Sequence, residues 1–259
     1  MKLLKAVFLL IALPVFPVTA EESSVQFSAE TITSMPQRGT QNGKLYVGDG
    51  KTRTEMDMNG NTLIQIIDIN SLTAYMINAE QETYIQRKAA RASMPADAAG
   101  QASPCAGMPN VTCKKVGEEM ISQRQTEKWE LVNPSAGDEE SLYYWMDKER
   151  NIPLRQVMPD GSRLEMQLAG TEKVNDRTTE KWKLTASRPG SADQLTWRWY
   201  DPEIKMNIKE EQPGGALREI RNIKVAPQPA TLFTVPEGYQ ELAVQEGSMN
   251  GEEGADPGL

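Results

Sequence analysis

The chain has 259 residues, a formal net charge of −8 and no histidine. An acidic chain without basic clusters is a poor match for nucleic acid or an anionic membrane surface. The absence of histidine excludes Ser-His-Asp and Cys-His catalytic arrangements and histidine-based zinc sites. Carboxylate and Ser-Lys chemistry stay open on composition, but no nucleophile motif or convergent acid pair accompanies them. The sequence therefore predicts a protein that is not an enzyme, with no cofactor, no metal and no nucleic-acid partner.

The first twenty residues have the pattern of a cleavable signal peptide. Lys2 and Lys5 precede an apolar stretch at residues 3–18, and small residues at 18–20 fit a cleavage site. Two prolines interrupt this stretch, which is short for a membrane span, so an anchor is disfavoured. Cleavage after Ala20 would leave 239 residues with a net charge of −10 and no cysteine near the cut. We expect a soluble periplasmic protein without an integral membrane segment.

Two cysteines, Cys105 and Cys113, lie in a segment rich in Ala, Pro, Gly and Ser. In an oxidising compartment two nearby cysteines favour a disulfide. A redox pair usually has two intervening residues, and a metal pair lacks histidine partners, so both alternatives are weaker. We interpret residues 87–115 as a disulfide-containing insertion, with a helical turn near residues 88–93.

Short strands separated by Gly, Asn and Asp turns predict a β-meander rather than βαβ units. Residues 51–58 alternate, with Thr52, Thr54, Met56 and Met58 on one face. The predicted strands cover residues 25–32, 44–47, 51–58, 62–69, 72–77, 83–86, 118–123, 128–132, 141–146, 152–157, 163–168, 179–184, 195–199, 204–209 and 217–223. These form one mainly β domain over residues 21–244, followed by a disordered acidic tail at 245–259.

The tetrapeptide Thr-Glu-Lys-Trp occurs twice, at residues 126–129 and 179–182, within similar surroundings. This repeat indicates a duplicated pair of hairpins and makes Trp129 and Trp182 structural anchors. Aromatic strands follow each copy and are expected on equivalent faces, where they line either a ligand hollow or an ordinary core. Two methionines add adaptable apolar surface. The candidate ligand-binding residues are Met56, Met58, Leu142, Tyr144, Met146, Leu195, Trp197 and Trp199.

Two other patterns have ordinary explanations. The thioethers of Met56 and Met58 suit Cu(I), but a core-facing strand gives the same alternation. Glu118 and Glu119 are adjacent on a strand and point to opposite faces, so they do not form a glycosidase-like acid pair. Residues 138–140 lie in a loop, and their acids are expected on the solvated surface.

A resemblance to a known superfamily rests on several strings of residues. They are Gly43–Val47, Lys51–Met56, Ile67-Asp68, Thr83-Tyr84, Tyr200–Ile204, Pro213–Gly215, Ile220–Lys224 and Leu232–Tyr239. In these strings the chain resembles the LolA/LolB-like lipoprotein-carrier superfamily, and within it an uncharacterised exported branch of DUF4412 type. The resemblance covers roughly residues 25–88 and 117–242.

The resemblance implies a strongly curved antiparallel sheet, or half-barrel, whose apolar hollow holds acyl chains in the carriers. It implies a periplasmic binding protein for a lipid, a lipoprotein acyl chain or another apolar ligand. Two features depart from the carriers: few helices are predicted to cover the sheet, and no arginine is identified that would lock a lid. The alternative is a cell-envelope sensor or protein-interaction module without a small ligand, contacting an envelope protein through the insertion.

Overall fold

One open, curved sheet of sixteen strands forms the protein. The computed structural model describes residues 25–58, 60–88, 111–132 and 141–243. Strands account for 67% of the structure and helices for 4%, with no helix of seven or more residues in the described part. The predicted fold class, a mainly β curved antiparallel sheet with few helices, is confirmed. The signal peptide, the tail and most of the insertion lie outside the described residues.

The strands follow the meander that the turns predict. In the first half they are β1 (Phe27–Met35), β2 (Gly39–Gly48), β3 (Lys51–Met58), β4 (Asn61–Asp68), β5 (Thr73–Asn78) and β6 (Thr83–Lys88). In the second half they are β7 (Thr112–Ile121), β8 (Arg124–Val132), β9 (Ser141–Asp147), β10 (Pro153–Val157), β11 (Arg163–Val174), β12 (Arg177–Ser187), β13 (Gln194–Asp201), β14 (Met206–Glu211), β15 (Leu217–Val225) and β16 (Gln240–Glu241).

All fifteen predicted strands are present, and β16 is an addition. The main differences concern length, because β7 begins six residues before its predicted start and β11 continues to Val174. Lys88, where the predicted helical turn begins, belongs to β6, and the rest of that turn lies outside the described residues.

The order of strands in the sheet differs from their order in the chain. It runs β16-β6-β5-β4-β3-β2-β1-β15-β14-β13-β12-β11-β10-β9-β8-β7, and only the β16–β6 pair is parallel. The chain builds outward from β1 to β6, continues at the opposite edge with β7, and returns to β15, which pairs with β1. The two halves of the chain therefore meet along a single ladder in the middle of the sheet.

Turn chemistry fixes the register of these hairpins. At the predicted turn between β2 and β3, Asp49 and Gly50 have φ values of 51° and 69°. Two consecutive positive φ values match the twist of two-residue hairpin turns. The side chain of Asn70 donates a hydrogen bond to the Asp49 carbonyl at 3.0 Å and holds this turn against the next one.

A C-terminal segment, residues 226–243, crosses one face of the first half; we call it the strap. Its Phe233 is 5% exposed and packs in a cluster with Ile64, Ile66 and Ile77. Arg53 Nη1 donates to the Leu232 carbonyl at 3.0 Å. The strap then ends in β16, which pairs with β6.

The pairing registers divide the side chains between two faces, because directly paired residues share a face. We call the face under the strap, which carries Ile64, Ile66 and Ile77, the strap face. It continues into the second half through the row Ile32, Glu219, Lys209 and Trp199. The opposite face, which continues through Arg218, Glu210 and Arg198, we call the hollow face.

Each copy of Thr-Glu-Lys-Trp begins with the same hydrogen bond. Thr126 Oγ1 donates to the Glu119 carbonyl at 2.7 Å, and Thr179 Oγ1 donates to the Glu172 carbonyl at 2.7 Å. Both threonines are 0% exposed. The repeated tetrapeptide thus marks equivalent points of two hairpins, as predicted.

A buried aspartate at the end of the following strand completes each copy. Asp147 and Asp201 are 2% and 0% exposed and pair with Arg124 and Arg177, respectively. Each carboxylate also accepts a backbone N–H two residues further on, at 2.9 Å in both copies. A buried carboxylate requires such partners, because desolvation without them costs several kcal/mol.

We expect Phe233→Ala to lower the free energy of unfolding by about 3–5 kcal/mol, because it opens a cavity between the strap and the sheet. Urea denaturation followed by circular dichroism measures this change. Leu242→Ala is the matched control in the strap, since Leu242 is 43% exposed, and it should shift stability by less than about 0.5 kcal/mol. Equal effects of the two substitutions would contradict this packing role.

Candidate functional site

An apolar hollow of about 220 Å³ lies on the hollow face of the second half. Strands β10 to β14 and the segment before β10 form it. Its lining residues are Arg150, Ile152, Pro153, Gln156, Leu164, Met166, Trp182, Leu184, Arg198, Tyr200 and Asn207.

Cross-strand rows build the floor of the hollow. Leu168 pairs with Trp182, and Met166 pairs with Leu184. Trp182, Leu184 and Met166 are 2%, 8% and 9% exposed. Because alternate residues of a strand share a face, the apolar positions of β11 and β12 form a continuous surface there. This is the mostly apolar lining, with a few polar groups, that small-molecule sites have.

Two arginines at the rim are both neutralised by glutamates. Arg150 makes a bidentate pair with Glu180, at 2.7 and 2.6 Å, and its guanidinium lies 4.2 Å from the centre of the Tyr200 ring. Arg198 Nε donates to Glu210 at 2.7 Å. The charges of these two arginines at the rim are therefore compensated. Because the rim offers no uncompensated charge to a ligand, it favours an uncharged apolar group in the hollow.

Glu180 connects this rim to the floor. Its carboxylate also accepts the indole N–H of Trp182 at 2.9 Å. Burial by itself raises the pKa of Glu180, but the hydrogen bonds from Arg150 and Trp182 outweigh it, so the pKa lies below its ordinary value. The carboxylate is consequently ionised at neutral pH and fixes both Arg150 and the Trp182 ring.

Three of the predicted ligand-binding residues adjoin the hollow. Leu142, Tyr144 and Met146 lie on β9, on the hollow face, and Tyr144 and Met146 pair with the lining residues Gln156 and Pro153. Met146 is 9% exposed, and the other two are half-buried. This strand extends the apolar surface beyond the hollow.

Met56 belongs to the same face, but Met56 and Met58 both lie in another part of the sheet. Both lie on β3, which β2, β1 and β15 separate from the hollow strands. Met56 is half-buried and borders a separate groove of about 410 Å³, while the side chain of Met58 lies outside the described residues. The structure therefore does not bring the methionines together with the aromatic candidates.

The prediction that Leu195, Trp197 and Trp199 share a face with Leu142, Tyr144 and Met146 is wrong. Leu195 pairs with Thr185, which pairs with Glu165, then Arg155 and Trp145. Trp145, not Tyr144 or Met146, is thus on the face of the three β13 residues.

The error has a simple origin in the length of a loop. Thr126 and Thr179 are 53 residues apart, whereas the buried pair Asp147 and Asp201 are 54 apart. One additional residue precedes β13, and a one-residue shift moves every side chain of a strand to the other face.

Long cationic side chains cover the tryptophans of the strap face instead. Lys181 and Lys209 lie 4.9 and 4.3 Å from the centre of the Trp199 ring. In the other copy, Lys128 and Arg155 take the equivalent places over Trp145, at 4.8 and 5.1 Å. Such cations contribute both ring contacts and apolar coverage by their stems. The two lysine side chains thus occupy the space over the Trp199 ring, which is 2% exposed.

The floor residues Met166, Leu184 and Tyr200 were not predicted, and Trp182 was assigned only an anchoring role. Trp182 is an anchor and a floor residue at once. The alternation of Leu164, Met166 and Leu168 is the sequence signal that could have identified this surface.

Other classes of site find no support in the described ranges. No group of three or more His, Cys, Asp or Glu side chains there is placed to hold a metal ion. No described helix is long and apolar enough to cross a membrane. The predicted Cys105–Cys113 bridge stays a prediction, because Cys105 lies outside the described residues while Cys113 is half-buried in β7.

No protein-family model and no curated protein matches the sequence. Among solved structures, the chain is similar to a LolA superfamily protein from Nitrosomonas europaea, with 10% identity, a TM-score of 0.38, and coverage of 85% of this chain and 91% of that one. It is also similar to an uncharacterised conserved protein from Thermus thermophilus, with 9% identity, a TM-score of 0.42, and coverage of 85% and 90%. The first belongs to the superfamily that the sequence resembles; the DUF4412-type resemblance stays a prediction.

Glu180→Gln is expected to destabilise the protein by about 2 kcal/mol at neutral pH, because Arg150 loses an ionised partner. Since the folded pKa of Glu180 lies below its ordinary value of 4.5, this stabilisation is complete above pH 4.5 and is lost as the pH falls through the folded pKa. Urea denaturation at a series of pH values should show the difference between wild type and variant shrinking in acid.

Glu203→Gln is the control for this prediction, because the Glu203 side chain also pairs with an arginine but is 80% exposed. Exposed pairs contribute between 0 and about 1 kcal/mol. A difference between wild type and Glu180→Gln that stays constant at all pH values would refute the ionised pair as its source.

Proposed function

We propose that the protein is a non-enzymatic binding protein that holds a lipid, an acyl chain or another apolar ligand in the hollow. The observation that carries this proposal is the combination of an apolar floor, formed by Met166, Trp182 and Leu184, with a charge-neutralised rim. An apolar ligand in the hollow covers the apolar surface that lining residues such as the half-buried Leu164 leave exposed, and each Å² removed from water contributes about 25 cal/mol.

The dimensions of the hollow favour a narrow ligand. Its volume of about 220 Å³ is below the usual range of about 300–1,000 Å³ for sites that enclose a drug-sized molecule. A single alkyl chain can place one part in the hollow and continue over Tyr144 and Leu142 on β9. A bulky polycyclic ligand would not fit without displacing the Arg150–Glu180 pair.

The setting we propose is the periplasm, reached through a signal peptide at residues 1–20 and cleavage after Ala20. In that oxidising compartment Cys105 and Cys113 are expected to form a disulfide. The alternative function, an envelope sensor or protein-interaction module, depends on the insertion at residues 87–115, most of which lies outside the described residues, and it stays a prediction.

Leu164→Trp should weaken the uptake of a fluorescent long-chain fatty acid by about tenfold or more, a loss of about 1.4 kcal/mol. Leu164 is half-buried in the lining of the hollow, and the larger indole would occupy the volume that the ligand needs. Fluorescence titration of purified protein measures the change in Kd.

The matched control is Leu195→Trp, which adds the same side chain on the strap face, where Leu195 is 42% exposed. It should leave the Kd unchanged. Equal weakening by both substitutions would place binding elsewhere. A wild-type protein that is empty in native mass spectrometry and takes up no fatty acid would sink the proposed function itself.

Thiol counting tests the predicted disulfide between Cys105 and Cys113. Protein isolated from the periplasm and denatured without reductant should contain no free thiol by thiol counting, and two after reduction. Two free thiols before reduction would show that the bridge is absent.

A further inference from the structure

Strand β7 lies at the end of the sheet, paired on one side with β8. Within the described residues no strand pairs with its outer edge. The strand has ten residues, and Val116 and Met120 are 41% and 58% exposed. A long strand of this kind presents a row of backbone groups that another strand can pair with.

A β-bulge divides β7 into two parts. Lys115 pairs with Trp129 while Gly117 pairs with Lys128, so Val116 is an extra residue relative to β8. In a regular strand, residues three apart point to opposite faces. Here the bulge places Lys115 and Glu118 on the same face, and their side chains form an ion pair at 2.7 Å.

The next residues outward from the bulge, Lys114 and Glu119, also share a face. Lys114 pairs with Glu130, and Glu119 pairs with Thr126. Glu130 and Thr126 are four residues apart on β8, and β8 pairs with β9 without a register shift. Because alternate residues of a strand point to the same face, Glu130 and Thr126 share a face. Lys114 and Glu119 therefore share the strap face, whereas Lys115 and Glu118 share the hollow face.

The sequence Lys114-Lys115-Val116-Gly117-Glu118-Glu119 is consequently self-complementary in charge for antiparallel pairing. If a second β7 lies antiparallel along the first, Lys115 is opposite the partner's Glu118, and Lys114 is opposite the partner's Glu119. Both pairs satisfy the requirement that directly opposed residues share a face, and opposite charges at such positions stabilise a sheet. Without the bulge, the opposed residues would lie on different faces.

We propose that two copies of this chain associate through their β7 edges as an isologous antiparallel dimer. The two-fold axis passes between the two Val116–Gly117 segments, so Val116 of each strand lies opposite Gly117 of the other and the same register holds on both sides of the bulges. Nothing lies within 4 Å of a Cβ placed on Gly117, so no described group covers that face of the strand beside the proposed axis. A self-complementary patch of this kind is what a two-fold dimer requires.

Charge reversal at one pair of positions tests the register directly. Lys115→Glu would place two carboxylates opposite each other across the interface, and Glu118→Lys would place two ammonium groups opposite each other. Each variant alone should sediment with the mass of one chain at concentrations where the wild type sediments with the mass of two. An equimolar mixture of the two variants should recover the dimer, because every opposed pair is then of opposite sign.

The mixture separates loss of association from loss of folding, since a misfolded variant would not recover. Glu237→Lys is the control of equal charge change, because Glu237 is exposed in the strap, away from β7, and it should remain dimeric. The dimer should also weaken as salt screens these exposed charges. A monomeric wild type, dimeric single variants, or a mixture that stays monomeric would each overturn the proposal.

Discussion

The structure depends on covering both faces of a sixteen-stranded sheet whose described residues include almost no helix. On the strap face the two halves of the sheet are covered by different groups. The strap packs Phe233 onto the isoleucines of β4 and β5 in the first half. In the second half, lysine and arginine stems lie over Trp145 and Trp199. Both covers lie on the strap face, so in the described part of the chain side chains of the sheet itself bury the apolar surface of the hollow face, and they leave a hollow between β10 and β14.

The Arg150–Glu180 ion pair matters because side chains of the sheet itself form this face. Arg150 and Glu180 stand at the rim with 13% and 24% of their side chains exposed, so the pair has lost much of its water and depends on its geometry. Its bidentate contact, the Trp182 indole N–H and the Tyr200 ring satisfy that requirement together. The second copy has Ile204 at the place that corresponds to Arg150, so an arginine occupies this position in the first copy alone.

The sequence predicted the strands, the turns and the duplication well, because each depends on local alternation and on Gly, Asn and Asp residues at the turns. The face of the sheet on which each side chain lies was predicted less well. Within β9, alternation correctly placed Leu142, Tyr144 and Met146 together, but comparison of β9 with β13 crossed a loop of unequal length in the two copies. The equal spacing of Asp147 and Asp201, and of Pro159 and Pro213, at 54 residues contains the correction. The strap and the cationic side chains cover the sheet through contacts between residues that are distant in the sequence. The alternation of residues within a strand cannot reveal such contacts.

The two ends of the open sheet are finished in different ways. At one end the strap returns as the two-residue β16 and pairs with β6, so a short parallel strand occupies part of that edge. At the other end β7 remains a ten-residue edge with a bulge and charges, devices that usually oppose edge pairing. In β7, however, the bulge reverses the alternation between two blocks of opposite charge. A bulge placed outside these two blocks would leave Lys115 and Glu118 on different faces, so its position at Val116 makes the charges of β7 complementary to those of a second β7.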